Sequence, residues 1–290
     1  MTTKCAFLSM DSLANFFAYD DMAFAPLKAQ GWLAEQVSWR KPDVDWSQYA
    51  VVVVRSTWDY QSDAAAFLAC LEKIEASGAR LENPLALIKW NISKDYLRDL
   101  QYQGINIVPT LWFDTFDLQQ LQHGFQHFAC DQLVIKPLIS ANADFTYRLT
   151  PQSLIAMQDQ LHQEFANRPF MLQPFLPAIV AEGEYSLFYF AGNYSHAILK
   201  RPKSGDFRVQ EEHGGELHSI TPCDEMLTCA RHALAALPAD ALYARIDLVR
   251  HQAEFALMEI ELIEPSLYFN MDPAAAQRFA DAFVETFGRG

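Results

Sequence analysis

Two stretches near the C-terminal end of the sequence carry acidic residues at a spacing that could hold a cation. In Tyr243-Ala-Arg-Ile-Asp-Leu-Val, strand periodicity puts Arg245 and Asp247 on one face and Ala244, Ile246 and Leu248 on the other. In Leu257-Met-Glu-Ile-Glu-Leu-Ile, Glu259 and Glu261 share a face opposite Met258, Ile260 and Leu262. Residues 250–254 are few enough to join the two as a hairpin. Three carboxylates and a guanidinium then gather on one face of a sheet whose back is apolar. Like charges side by side are destabilising unless something compensates them. Mg²⁺ is the natural compensator, because it takes carboxylate oxygens and keeps water or phosphate in its other positions. A solvated outer face with salt bridges to Arg245 is the alternative reading.

Basic residues supply the second signal. Lys136 interrupts the otherwise apolar Leu133-Val-Ile-Lys-Pro, where an unpaired ammonium is costly. Lys94 falls in the first turn of an expected helix, where the macrodipole disfavours cations. Both placements make sense beside an anion, although each lysine taken alone also reads as a snorkelling surface residue. Lys200-Arg-Pro-Lys-Ser-Gly-Asp-Phe-Arg208 is the only basic cluster, and it leads into Gly214-Gly215, whose amides could approach an anion. A solvated hairpin fits the same residues.

Other chemistries lack their signatures. The sequence has no G-x-x-x-x-G-K-[ST], no G-x-G-x-x-G, no G-x-S-x-G and no H-E-x-x-H. His123 and His127 share a helix face, but no third ligand of fitting spacing accompanies them, so they read as a surface pair.

The elements that must position these residues alternate between strand and helix patterns. Residues 5–9 and 51–54 read as buried strands, with helices over 21–31 and 64–77 that each stop at a glycine. Their β-α-β-β-α order predicts a small open α/β unit ending near Asn83-Pro84. A helix is expected over 91–103, with Ser93 as its N-cap and Gly104 beyond its end. Strands at 132–137, 145–149 and 170–173 with a helix over 151–165 form a compact α/β unit. Strands at 185–191, 194–201, 216–220, 243–250 and 254–263 follow, interleaved with helices over 224–236 and 273–287. Domains are therefore expected at 1–90, 91–170 and 171–290.

Composition limits the partners. The 290 residues carry a formal net charge of −14, which disfavours nucleic acid and anionic membrane as partners but leaves room for a basic pocket that takes phosphate. At 51% hydrophobic and 20% charged residues the chain is of ordinary globular composition. Five scattered cysteines without a C-x-x-C read as reduced thiols in a cytoplasmic protein. The first ten residues do not form a signal peptide, and the longest stretch free of Asp, Glu, Lys and Arg is too short to span a bilayer.

Six segments in this order resemble the ATP-grasp superfamily, in its glutathione-synthetase-like branch, which includes the ligase that closes the ring of D-cycloserine. They are Val54-Arg-Ser-Thr-Trp-Asp-Tyr60; Asn83-Pro84 with Trp90-Asn91 and Lys94; Val134-Ile-Lys-Pro137; Leu172-Gln-Pro-Phe-Leu176 with Gly183-Glu184; Asp206-Phe-Arg208 with Gly214-Gly215; and Arg245-Ile-Asp247 with Glu259-Ile-Glu261. The resemblance implies an ATP-grasp fold of mixed α/β and α+β class: an N-terminal open α/β (pre-ATP-grasp) domain, a small lid subdomain and a C-terminal α+β subdomain. It implies that Lys94, Lys136 and Lys200 contact the nucleotide, that Gln173, Phe175 and Leu176 line the adenine, and that Glu184 holds the ribose. Asp247, Glu259 and Glu261 would hold Mg²⁺, with Mn²⁺ as a substitute. Arg208 and Arg245 would be the catalytic cations. Two departures stand out. The lid loop, residues 138–146, has no glycine, and Glu261 stands where glutathione synthetases carry asparagine.

What the resemblance implies is an ADP-forming, ATP- and Mg²⁺-dependent ligase. A small amino-acid-like carboxylate is phosphorylated to an acyl phosphate, which an amine or related nucleophile then attacks. Such chemistry runs on positioning and charge neutralisation without a covalent nucleophile. The substrate is expected at Arg55, Ser56, Thr57 and Asp59, at the C-terminal end of a strand where open α/β sheets bind ligands. There Arg55 would hold a carboxylate and Asp59 an ammonium, with Ser266 facing the same cleft; mutual pairing of Arg55 and Asp59 is the alternative. A catalytically weak ATP-binding module and a small-molecule binding protein are the competing classes, and a homodimer is left open.

Overall fold

A computed structural model describes residues 3–290. The first sheet is parallel, in the order β2-β1-β3-β4, from β1 (Thr3–Ser9), β2 (Trp32–Ser38), β3 (Val51–Ser56) and β4 (Arg80–Glu82). The valine run Val51–Val54 is fully buried because helices cover both faces of this sheet. The helix Ala64–Ala76, capped by the Asp63 side chain on Ala66 N–H, buries Phe67, Leu71 and Ile74 against one face. The helix Ala275–Phe287, from the far end of the chain, covers the other, with Phe279 edge-on to Phe7. β2 is the partly exposed edge strand, and the sequence reading allowed for a strand here without placing it.

The second sheet is antiparallel, in the order β5-β8-β6-β7, from β5 (Leu111–Phe113), β6 (Leu133–Pro137), β7 (Tyr147–Leu149) and β8 (Phe170–Pro174). Leu133, Ile135, Phe170 and Leu172 pack on Leu121, Leu161 and Phe165 of the covering helices. Since β8 pairs inside this sheet, a domain border at 170 would fall on its first residue. The third sheet has five antiparallel strands in the order β11-β10-β9-β12-β13: β9 (Glu184–Phe190), β10 (Asn193–Arg201), β11 (Glu216–Ile220), β12 (Tyr243–His251) and β13 (Glu254–Glu261). This is the expected combination of a parallel α/β sheet with antiparallel α+β units.

Two expected elements differ. The helix over 91–103 is two helices, Leu85–Asn91 and Tyr96–Tyr102. Ser93 does not cap the second, because its hydroxyl donates to Asp95. The turn between them is pinned by long-range bonds: Asn91 holds the backbone of Ile260 and Leu262, and Lys94 N–H donates to the Leu138 carbonyl. Lys94 therefore sits in a turn, and the helix-dipole argument does not apply to it. The helix over 151–165 is broken at Met157 into Pro151–Ala156 and Gln158–Phe165, the first closed by a Thr150–Ser153 capping box. Among the described residues no helix is long and apolar enough to cross a membrane.

His196, on β10, is 5% exposed and stacked on Phe188. Its Nε2–H donates to the Leu267 carbonyl, and Nδ1 accepts from the Ser195 hydroxyl. Burial lowers its pKa to about 4. An unfolded histidine titrates near 6.5, so as the pH falls from about 6.5 towards 4 the unfolded chain takes up the proton first and the native state loses stability. Thermal unfolding should therefore show the melting temperature dropping between pH 7 and pH 5, and His196→Gln, although less stable at pH 7, should show a shallower drop.

Candidate functional site

The β12–β13 hairpin forms in the register Arg245↔Glu261 and Asp247↔Glu259, but a bulge at Met258 interrupts the expected alternation and turns that residue to the cleft instead of the apolar face. Ile246, Leu248 and Ile260 sink into the core behind it. Glu259, Glu261 and Arg245 look into a cleft whose opposite wall is the second sheet. There the alternation of β6 buries Leu133 and Ile135 and turns Val134 and Lys136 to the cleft, beside Gln173 of β8. Gln173 is fixed by a 2.9 Å bond to the Thr110 hydroxyl. One end of the cleft is apolar, lined by Val108, Phe175, Leu176, Ile179, Phe207 and Met258.

The polar end is a lattice of ion pairs. Lys94 bonds Glu259 and reaches the Ser140 carbonyl at 3.4 Å. Lys200 pairs with Glu184, directly opposite it on β9, and lies 3.5 Å from Asp247. Arg245 holds Asp247 at 2.9–3.1 Å through two nitrogens and also bonds Glu261. Arg208 holds Asp206 at 2.8 Å. Lys136 has no carboxylate within 4.0 Å among the described residues, and burial, only partly offset by Glu259, lowers its ammonium pKa to about 8. Glu264 is likewise unpaired, and burial together with repulsion from Glu261 raises it to about 8. Burial pushes Glu261 up to about 7 despite Arg245. Burial also opposes the charge on Asp247, but Arg245, Lys200 and the Ser186 hydroxyl overcome it and hold Asp247 down to about 2.

These carboxylates suit a divalent cation in a limited way. Among the described residues no three acidic, histidine or cysteine side chains are close enough to form a ready cage. Mg²⁺ is usually held by one or two carboxylates completed by phosphate and water, so Glu259 and Glu261, open to the cleft, fit it without a cage. Asp247 lies behind them, 2% exposed and engaged by Arg245, Lys200 and Ser186.

The cleft brings together Lys94, Lys136, Gln173, Phe175, Leu176, Glu184, Lys200, Arg208, Arg245, Glu259, Glu261 and Ser266. It does not include Arg55, Ser56, Thr57 or Asp59. Arg55 is 1% exposed, pairs with Asp20 at 3.0 Å and donates to the Pro265 carbonyl at 2.6 Å. Ser56 bonds Asp20 and lines a separate small hollow with Ser9 and Gln36. Asp59 pairs with Arg40 and accepts from Trp39 Nε1 at 2.7 Å, so it does not pair with Arg55. The pair Gly214-Gly215 also lies off the cleft. Its two amides close a turn on Glu211 and Gln210 carbonyls, which leaves neither for an anion.

Trp58, Glu264, Tyr268 and the loop residues Ser140 and Asn142 complete the cleft without having been singled out. The alternation that exposes Glu259 and Glu261 points next to Ile263, but the strand ends at Glu261 and the chain re-aims before Pro265. A glutamate in front of a proline just past a strand was the only signal. The glycine-free loop 138–146 reaches left-handed backbone at Asn142 (φ 53°), Ala143 (φ 58°) and Phe145 (φ 52°), and Asn142 Nδ2 donates to the Trp58 carbonyl.

Residues 5–83 match the family model described as the N-terminal domain of D-cycloserine synthetase DcsG. The chain is 29% identical to the cycloserine biosynthesis protein DcsG of Streptomyces lavendulae over 270 residues, 88% of this chain and 89% of that protein. Its fold is similar to the crystal structure of D-cycloserine synthetase DcsG, with a TM-score of 0.87, 27% identity and coverage of 98% and 99% of the two chains. It is also similar in fold to the ATP-grasp ligase PsnB complexed with a phosphomimetic variant of its minimal precursor, Mg and ADP, with a TM-score of 0.68, 15% identity and coverage of 98% and 99%.

The loop carrying Arg208 has one tight point. A Cβ on Gly215 would lie 2.1 Å from the Val209 carbonyl oxygen, whereas on Gly214 (φ +81°) it would meet only the Lys203 side chain. Gly215→Ala must move backbone and should cost about 2 kcal/mol, while Gly214→Ala should cost about 1 kcal/mol for its left-handed backbone alone. Urea denaturation of the two variants checks the order.

Proposed function

We propose that the chain is a ligase of the ATP-grasp superfamily, which its likeness to D-cycloserine synthetase and to ATP-grasp folds supports, and that it activates a small amino-acid-like carboxylic acid with ATP and joins it to an amine or related nucleophile. The carboxylate oxygen takes the terminal phosphoryl group and ADP leaves. The nucleophile nitrogen then attacks the acyl carbon, phosphate leaves, and a C–N bond results. Similarity to D-cycloserine synthetase makes ring closure within one amino-acid derivative the favoured form of this reaction.

The carrying observation is the juxtaposition of Lys136, the unpaired cleft cation, with Glu259 and Glu261 across one cleft that is apolar at its far end. In this reading adenine lies among Phe175, Leu176 and Met258, and Glu184 holds the ribose. Lys136, Lys94 and Lys200 lie along the phosphates, where ammonium groups act as point charges. Mg²⁺ bound by Glu259 and Glu261 would neutralise phosphate oxygens, and Asp247 serves by fixing Arg245. Arg245 and Arg208 face the reacting carboxylate, with Ser266 beside them. Arg55, being buried against Asp20 and Pro265, supports the Glu264–Ser266 segment. The left-handed backbone at Asn142 and Ala143 gives the loop over the phosphates a bend that glycine usually supplies, so its composition is no argument for a binding module that lacks turnover.

The test is ADP release across a panel of amino-acid derivatives, with hydroxylamine added to intercept an acyl phosphate as hydroxamate. Acid-dependent ADP release with hydroxamate formation is expected. Glu259→Gln should lower kcat at least 100-fold with the fold intact, and Lys136→Ala should weaken ATP binding more than AMP binding. Tight nucleotide binding with no ADP release from any acid would favour the module instead.

A further inference from the structure

The cleft holds one carboxylate that nothing compensates. Glu264 is 9% exposed and lines the cleft, yet among the described residues no cation lies within 4.0 Å of it and nothing donates a hydrogen bond to its side-chain oxygens. Every other buried or half-buried carboxylate at this end has a cation: Glu184 has Lys200, Asp247 and Glu261 have Arg245, and Glu259 has Lys94. The backbone that carries Glu264 is pinned in place. Its own carbonyl accepts from Trp58 Nε1 at 2.8 Å, and the next carbonyl, of Pro265, accepts from Arg55. A buried carboxyl group without a partner disfavours its own ionised form, and a cation that binds beside it restores that charge and is held by it.

We propose that Glu264 receives the ammonium group of the substrate, so that the enzyme selects carboxylic acids carrying a free amine. This rests on the ligase reading above and deepens it. The geometry supplies both ends of such a molecule. Arg245 donates to the Ser266 carbonyl at 3.4 Å, which brings a guanidinium to the same short segment for the carboxylate. The acceptor expected from sequence, Asp59, is engaged by Arg40 and Trp39 outside this cleft. The remaining cleft carboxylate, Glu212, is exposed and already accepts from Phe17 N–H, so water weakens its pull on an ammonium.

Calorimetry in the presence of Mg²⁺ and a non-hydrolysable ATP analogue tests this, with D- and L-alanine, D- and L-serine and β-alanine set against propionate and lactate. At least one amino acid should bind at least tenfold more tightly than its des-amino counterpart. Glu264→Gln should erase that preference while nucleotide and Mg²⁺ affinities stay within twofold, and Glu264→Asp should restore part of it. Equal binding of amino and des-amino acids, binding of none of the amines, or a preference that survives Glu264→Gln overturns the inference. So does a Glu264→Gln variant whose Mg²⁺ affinity falls instead, which would make Glu264 a metal ligand. Amine-selective binding without ADP release on adding ATP would leave Glu264 in this role and sink the ligase reading alone.

Discussion

The site depends on how one strand edge is closed. β13 is the last strand of its sheet, so the backbone groups along its outer edge have no neighbouring strand. Side chains take that place at every second residue. Tyr96 accepts from Ile260 N–H, Asn91 bridges the Ile260 carbonyl and the Leu262 N–H, Asn83 takes the Leu262 carbonyl, and Trp58 donates to the Glu264 carbonyl. Further back, Leu257 exchanges hydrogen bonds with residues 106–108. Each buried group left open would cost about 1–3 kcal/mol. Because these bonds fall on 260, 262 and 264, a slip by one residue would break them all and would also turn Glu259 and Glu261 away from the cleft.

Charge is balanced within the site by residues that can change partners. Lys94, Lys200 and Arg245 neutralise carboxylates that would otherwise repel one another, and the same cations would face phosphate oxygens in the ligase reading. The polar end thus stays folded in the absence of ligand. The two groups left without a partner, Lys136 and Glu264, carry opposite signs when ionised, which suits ligands that bring an anion to one and a cation to the other.

Where period and burial agreed, the sequence was readable. The hairpin over 243–261 was legible because one face is core and the other is site, except at Met258, where a bulge that no local pattern announces turns an apolar side chain to the cleft, and the valines of β3 could only be a buried strand. The reading broke down where long-range bonds override local preference. Nothing near Ser93 shows that Asn91 is held by a strand 170 residues on, which is what divides the expected helix. Arg55 and Asp59 looked like a substrate clamp because their partners, Asp20 and Arg40, are distant in sequence. Glu264 sits outside any periodic element, so no pattern could assign it a face.

The helix Ala275–Phe287 that covers the first sheet has a consequence for biosynthesis. Cys5, Phe7, Val51 and Val53 are synthesised more than 220 residues before Phe279 and Phe283, which bury them. At roughly 5–20 residues per second the interval between them is on the order of 10–55 s. During that time a valine-rich parallel sheet has one apolar face open to any neighbour. Residues 5–83, the segment matched by the N-terminal family model, therefore complete one face of their core only with a helix that lies outside it.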